Sequence, residues 1–257
     1  MEIFVNCVEE SPLIRARYWT QEEQTFEGSF LPLKIKFNRM PVNRKRERRT
    51  SMEKQAQQGG YLWMLGATTI GVVCADGVVL ASEKRVSYGY FIASKGGKKV
   101  FKITDNIGAA CAGLVSDMQI LIREMEAYAS LFTLDVGRSI SVRSAAKLMS
   151  NLLFNRRLAP LITQTIVGGI DEEGPTLYVM DMLGSVIPDK YAVVGSGTEI
   201  AIGVLEEGYK ENMTVGEAKE LILRAMKSAI SRDILSGDGM DFLFITNKGM
   251  QEESIKF

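Results

Sequence analysis

The stretch Gly66-Ala67-Thr68-Thr69-Ile70-Gly71-Val72-Val73-Cys74-Ala75-Asp76-Gly77-Val78-Val79-Leu80-Ala81-Ser82-Glu83-Lys84-Arg85 decides how the chain is read. Thr69 to Cys74 and Gly77 to Ser82 are β-branched and apolar, and Ala75-Asp76-Gly77 between them is a turn signal. The segment therefore predicts a β-hairpin. Downstream, strand patterns recur near Lys99–Ile103 and Ile107–Ala112. Ser116 to Leu134 then sets Ile120, Leu121, Met125, Tyr128 and Phe132 at helical spacing. A second helix is predicted from the N-cap Ser141 through Ala145, Leu148, Leu152 and Leu153.

Strands resume at Thr163–Gly169, Thr176–Asp181 and Tyr191–Gly195, interrupted by Asp171-Glu172-Glu173-Gly174-Pro175 and by Leu183-Gly184. Helices follow at Glu199–Tyr209 and Thr214–Arg232, the latter opened by a Thr214/Glu217 capping box. A last hairpin, Phe242–Thr246 and Met250–Glu252, turns at Asn247-Lys248-Gly249. Strands in blocks, without β–α alternation, argue against a Rossmann arrangement and for an α+β fold with sheets sandwiched by helix pairs.

Residues 1–66 read differently. Pro12, Pro32, Pro41 and the run Asn43-Arg44-Lys45-Arg46-Glu47-Arg48-Arg49 leave only short alternating patches, such as Leu31 to Phe37, with strand character. The division predicted is an irregular N-terminal extension over 1–66 and one folded domain over 67–257. The charge run reads as a solvated linker, not a nucleic-acid site. Met52 and Met64 are read as alternative candidates for the translation start.

Composition narrows the chemistry. Lysine plus arginine and aspartate plus glutamate number 31 each, so no net field draws the chain to nucleic acid or an anionic membrane. Cys7, Cys74 and Cys111 are scattered, with no CxxC, which argues against a disulfide framework or zinc site and fits a reducing cytoplasm. Cys74 and Cys111 lie in apolar runs as small core residues. No stretch reaches the roughly 18 to 20 apolar residues of a membrane span. The sequence contains no histidine. A Ser-His-Asp triad, a Cys-His pair and most catalytic metal sites are thereby excluded, and a hydrolytic base must be a carboxylate, a lysine or an α-amine.

Further motifs stand in order behind the opening stretch: Lys95-Gly96-Gly97-Lys98-Lys99-Val100-Phe101, Ala112-Gly113, Gly168-Gly169-Ile170-Asp171, Gly195-Ser196-Gly197, Gly203-Val204-Leu205-Glu206, and Arg232-Asp233 ahead of Ser236-Gly237-Asp238-Gly239. Together they resemble the archaeal proteasome β family from Gly66 almost to the C-terminus. The resemblance implies a four-layer αββα sandwich of the N-terminal-nucleophile hydrolase type, self-cleavage after a propeptide, and a threonine that attacks peptide carbonyls with its own α-amine as base. An α-amine titrates near 7.7–8.0, so it can take a proton near neutrality without a histidine.

By the same resemblance, Lys99 is the lysine beside the nucleophile and Glu83, in place of the family aspartate, is the carboxylate that holds it, with Arg85 two residues on. Asp233, Ser236 and Ser196 orient the threonine, and the Gly113 N–H stabilises the oxyanion. Val86, Phe101, Cys111 and Val115 line the specificity pocket, which implies cleavage after apolar residues. The implied partners are proteasome α subunits, other β subunits in stacked seven-membered α7β7β7α7 rings, regulatory ATPases at the particle ends, and unfolded polypeptide substrates. The mechanism requires no metal or organic cofactor.

The nucleophile position departs from the pattern. Active archaeal β subunits read Gly-Thr-Thr-Thr-Val-Gly. Here a gapless count from Gly71 or Lys99 puts Ala67 at the nucleophile position and Thr68 one residue late. A one-residue offset on a strand turns a side chain to the opposite face. Two readings stay open. In one, cleavage between Ala67 and Thr68 lets Thr68 reach Lys99, making the chain a threonine endopeptidase. In the other, it is a catalytically silent β subunit beside an active paralogue. A bacterial two-component protease subunit, whose mature chain begins Thr-Thr-Ile, is a third resemblance.

Overall fold

The computed structural model describes residues 66–257; the N-terminal extension, including Leu31–Phe37, the basic run and Cys7, lies outside the described residues. The opening stretch forms β1 (Thr68–Val73) and β2 (Gly77–Glu83), paired antiparallel with Ile70 opposite Ala81. The remaining elements are β3 (Val86–Tyr88), β4 (Phe91–Ser94), β5 (Val100–Lys102), β6 (Ile107–Gly113), α1 (Val115–Val136) and α2 (Val142–Asn155). They continue with β7 (Thr163–Asp171), β8 (Gly174–Met180), β9 (Ile187–Pro188), β10 (Tyr191–Gly195), α3 (Thr198–Gly208), α4 (Val215–Ile230), β11 (Gly239–Thr246) and β12 (Gly249–Lys256).

Two five-stranded antiparallel sheets result, ordered β10-β1-β2-β11-β12 and β5-β6-β7-β8-β9, with β3–β4 as a separate hairpin. Three apolar layers hold them. Ile70, Val72, Ala81 and Phe242 pack on Leu205, Leu221, Ile222 and Met226 of α3 and α4. Val78, Leu80 and Leu243 meet Ala110, Ile166 and Leu177 between the sheets. Ile107, Ala109 and Val167 pack on Met118, Leu121, Met125 and Met149 of α1 and α2. The arrangement is the expected αββα sandwich. Every residue of β1 and β2 is buried, because one face meets helices and the other meets the second sheet. That explains why both read as continuous apolar runs and not as alternation.

Polar side chains fix the helix ends. Ser141 caps α2 through the Ser144 N–H, and Asp171 Oδ2 accepts from the Val142 N–H at 2.8 Å, tying α2 to β7. The Thr214/Glu217 capping box is formed, and Asp76 in the first hairpin turn accepts from the Val215 N–H at 2.9 Å. The chain thus positions α4 over β1 and β2. Among the described residues, no helix is long and apolar enough to cross a membrane.

Several boundaries differ from those predicted. Gly174 and Pro175 belong to β8, opposite Asp171 and Ile170, leaving a two-residue turn. β12 continues past Glu252 to Lys256 because its backbone keeps laddering with β11. β3, β4 and β9 were absent from the pattern reading. All three are short, and the β3–β4 side chains are largely exposed, so burial imposes no alternation on them.

Candidate active site

β2 ends at Glu83, and Lys99 immediately precedes β5, so the two sheets bring these residues together at one end of the sandwich. Both are buried, with 0% and 1% of their side chains exposed. Lys99 Nζ donates to Glu83 Oε1 and, at 2.6 Å, to the Arg85 carbonyl. Glu83 Oε2 accepts from the Arg85 N–H at 2.6 Å and the Gly237 N–H at 3.0 Å. Burial raises the Glu83 pKa against the attraction of Lys99, and burial lowers that of Lys99 against the attraction of Glu83. Each charge is therefore tolerated because of the other.

A second network lies where β10 gives way to α3 and where α4 ends. Asp233 Oδ2 accepts from Ser236 Oγ at 2.6 Å and from Ser196 Oγ at 2.5 Å. Ser236 Oγ is 2.8 Å from Thr68 Oγ1. With Ser236 donating to the carboxylate, Thr68 donates to Ser236, and a continuous path runs from the Thr68 hydroxyl to Asp233. Ser196 Oγ lies 3.3 Å from the Ala67 carbonyl oxygen, and the Gly197 N–H nitrogen 3.5 Å from it. Only glycine fits at 197, since a Cβ there would sit 2.0 Å from Thr68 Oγ1.

A cavity of about 10 Å³, room for about one water, opens beside Lys99. Gly66, Gly113, Val86 and Val115 line it together with Arg85, Ser87, Tyr88 and Leu114. Gly113 has φ +137°, and a Cβ would stand 2.2 Å from the Ile162 carbonyl oxygen, so the backbone turns there without a side chain. Two of the residues assigned to the pocket lie elsewhere. Cys111 is fully buried in the sheet–helix core, where Thr165 Oγ1 lies 3.6 Å from its Sγ, and Phe101 packs against the same core. Their positions on β6 and β5 turn them toward α1 and α2. Ser87, Tyr88 and Leu114 were missed; the first two belong to the unanticipated β3, and Leu114 is the cap of α1.

The offset at Thr68 has a structural counterpart. Ala67 belongs to the intersheet cluster with Val100, Ala110 and Ala112, whereas Ile70 belongs to the helix-facing layer. Thr68 shares the helix-facing side and bonds Ser236. Thr69 shares the Ala67 side, 2.7 Å from Ser82 Oγ and donating to the Cys111 carbonyl at 3.0 Å. Among the described residues, no hydrogen bond joins Thr68 to Lys99.

A sandwich of this layering, with a hydroxyl–carboxylate path at one end of β1 and a buried lysine–glutamate pair beside it, defines a hydrolase-type scaffold in which β1 begins at the site. The family model "Proteasome subunit" matches residues 64–245. "Proteasome subunit beta 2" of Caldivirga maquilingensis is 49% identical over 195 residues, covering 76% of this chain and 98% of that protein. "Proteasome subunit beta 1" of Cenarchaeum symbiosum is 50% identical over 189 residues, 74% and 97% of the two chains. "Proteasome subunit beta 2" of Pyrobaculum arsenaticum is 47% identical over 192 residues, 75% and 95%. The chain belongs to the proteasome subunit family, as a β-type subunit of the core particle. Threonine protease chemistry is the general activity of that family.

Proposed function

We propose that this β subunit itself hydrolyses peptide bonds, with Thr68 exposed as an N-terminal nucleophile by cleavage of the Ala67–Thr68 bond. The observation that carries the reading is the path Thr68 Oγ1–Ser236 Oγ–Asp233, set beside the Ala67 carbonyl. Thr68 Oγ attacks the Ala67 carbonyl carbon, and its proton passes through Ser236 to Asp233. The carbonyl oxygen takes up charge facing the Gly197 N–H. The C–N bond then breaks as the departing nitrogen takes the proton back, leaving an ester on Thr68 Oγ. Water hydrolyses that ester, releasing the chain up to Ala67 and a free α-amine on Thr68.

Substrate hydrolysis repeats the attack with the α-amine as base, Lys99 held by Glu83 and Arg85 supplying positive charge, and the Gly113 N–H facing the oxyanion. It requires the freed end of β1 to rearrange locally, so that Thr68 takes the side now held by Ala67. In this reading the subunit works in stacked seven-membered rings with α subunits and further β subunits. Regulatory ATPases sit at the particle ends, and unfolded polypeptides are degraded in the cytoplasm without a metal or organic cofactor. Val86 and Val115 give the substrate pocket an apolar wall.

The Ala67 register favours a second reading, a silent subunit whose paralogue supplies the threonine. The test is the N-terminal residue of the subunit in assembled particles, together with peptidase activity after Thr68→Ala. A chain starting at Thr68 and loss of this subunit's activity on substitution support the proposal. Retention of Ala67 with activity unchanged by Thr68→Ala overturns it in favour of the silent subunit.

A further inference from the structure

The loop between α4 and β11 contains a group that the chemistry above does not use. Asp238 Oδ2 accepts from Arg85 Nε at 2.7 Å, and its Oδ1 lies 3.3 Å from Lys95 Nζ. Its φ is +66°, a left-handed conformation uncommon outside glycine, and it is followed by Gly239 at φ +141°. Such a conformation persists where the surroundings impose it. Here the Asp238 carboxylate is bound by the Arg85 and Lys95 side chains. The guanidinium lies over Gly237, where a Cβ would come within 2.3 Å of Nη2, and Nη1 donates to the Ile234 carbonyl at 2.9 Å.

Arg85 is held by its side chain at one end and holds the buried pair with its backbone at the other. Its carbonyl is one of two acceptors for Lys99 Nζ, and its N–H is a donor to Glu83. The charged groups acting on Lys99 are Glu83, Asp233 and Arg85; those facing Asp238 are Arg85 and Lys95. We propose that Asp238 is a positioning residue for Lys99: it anchors the Arg85 guanidinium away from Glu83, so that Glu83 remains the counter-ion of Lys99. Without the Asp238 carboxylate, the guanidinium turns to Glu83, the nearest buried carboxylate on its own strand end. Lys99 then loses its partner and gains a cation.

The consequence for hydrolysis rests on the proposed function; the position of Arg85 does not. Assembled particles carrying Asp238→Asn test both, and Asp238→Gly serves as a second variant because asparagine and glycine both accept the positive φ. The expected result is that the alkaline limb of Thr68-dependent peptidase activity moves down by about one pH unit, tenfold in proton affinity. In addition, high-resolution cryo-electron microscopy of the variant particle shows Arg85 on Glu83. Adding Arg85→Gln to Asp238→Asn moves the limb back toward wild type, an effect that a merely structural role for Asp238 does not produce. An unmoved limb with Arg85 still on the Ile234 carbonyl overturns the inference. Should Thr68→Ala leave activity unchanged, the proposed function has failed, and the position of Arg85 in the variant alone decides for or against Asp238.

Discussion

Replacing Glu83 by glutamine is the sharpest test of the energetics of this site. The side chain keeps its size and an oxygen for the Arg85 and Gly237 N–H groups, but the charged acceptor facing Lys99 becomes an amide NH2, which donates and cannot accept. That leaves an ammonium with 1% of its side chain exposed and the Arg85 carbonyl as its remaining strong acceptor. Breaking a buried ion pair on one side costs about 3–5 kcal/mol. The escape route sets a similar ceiling. A lysine ordinarily titrates near 10.5, so shedding the Lys99 proton at pH 7 costs about 5 kcal/mol at 1.36 kcal/mol per pH unit. At roughly 2–4 °C per kcal/mol, the melting temperature falls by roughly 10 °C. The sign of the pH dependence is fixed as well. In Glu83→Gln the folded state binds fewer protons at position 99 than the unfolded chain, so its deficit shrinks as pH rises from 7 toward 10.5. Thermal unfolding of the full-length chain at pH 7 and 9.5 measures both quantities. The Glu83→Leu/Lys99→Met double variant recovers most of the loss. A deficit under about 1 kcal/mol, or one that grows with pH, refutes the claim that Glu83 carries the buried charge of Lys99.

Two further outcomes follow from the charged and thiol groups. Burial pushes the Cys74 and Cys111 thiols up to about 12, so native particles treated with iodoacetamide at pH 8 should yield unmodified peptides at both positions, and modified ones after denaturation. Rapid native alkylation at either position contradicts this. In acid, the bond from Arg85 holds Asp238 below its usual 3.8, and the bond from Lys98 holds Glu252 below its usual 4.5. Folded carboxylates with depressed pKa values contribute stability above the ordinary values and lose it as pH falls through the folded ones, so melting temperature should drop steeply below about pH 4. Asp238→Asn should flatten that drop, and an unchanged slope in the variant counts against the Arg85 contact.

Much of the fold was legible because the sandwich makes demands that are written locally. β1 and β2 are buried on both faces and had to be continuous apolar strands. The Ala75-Asp76-Gly77 turn, the Ser141 cap and the Thr214/Glu217 box marked element ends with their own hydrogen-bonding chemistry. The β3–β4 hairpin had no such signature. Tyr88, Tyr90 and Phe91 are more than half exposed, so nothing in their pattern announces a strand, although the hairpin walls the cavity beside Lys99. Its existence depends on the backbone partners across Val86–Ser94, which only the folded chain supplies.

The site was legible as a set of residue types but not as a set of directions. Lys99, Glu83, Arg85, Ser196, Asp233 and Ser236 could be named because their spacing matches a known motif order. Which of Ala67, Thr68 and Thr69 faces which of them depends on the register of β1 between β10 and β2, with Thr68 opposite Gly195. That register buries Ile70 and Val72 against α3 and α4. Shifting it by one residue while the chain is intact would expose those side chains to the wrong layer, at about 1.5–3 kcal/mol for each large apolar residue displaced. The cost confines any slip to the first residues of the strand, ahead of Ile70. A Thr68 that reaches Lys99 must therefore do so by local rearrangement after the bond to Ala67 is cut. The motion open to a severed end is the peeling of Thr68 from Gly195 while Ile70 to Val73 keep their partners. Exchange of the Ile70 and Val72 amides that remains slow in processed particles, alongside faster exchange at Thr69, is the pattern this mechanism requires; loss of protection along all of β1 excludes it.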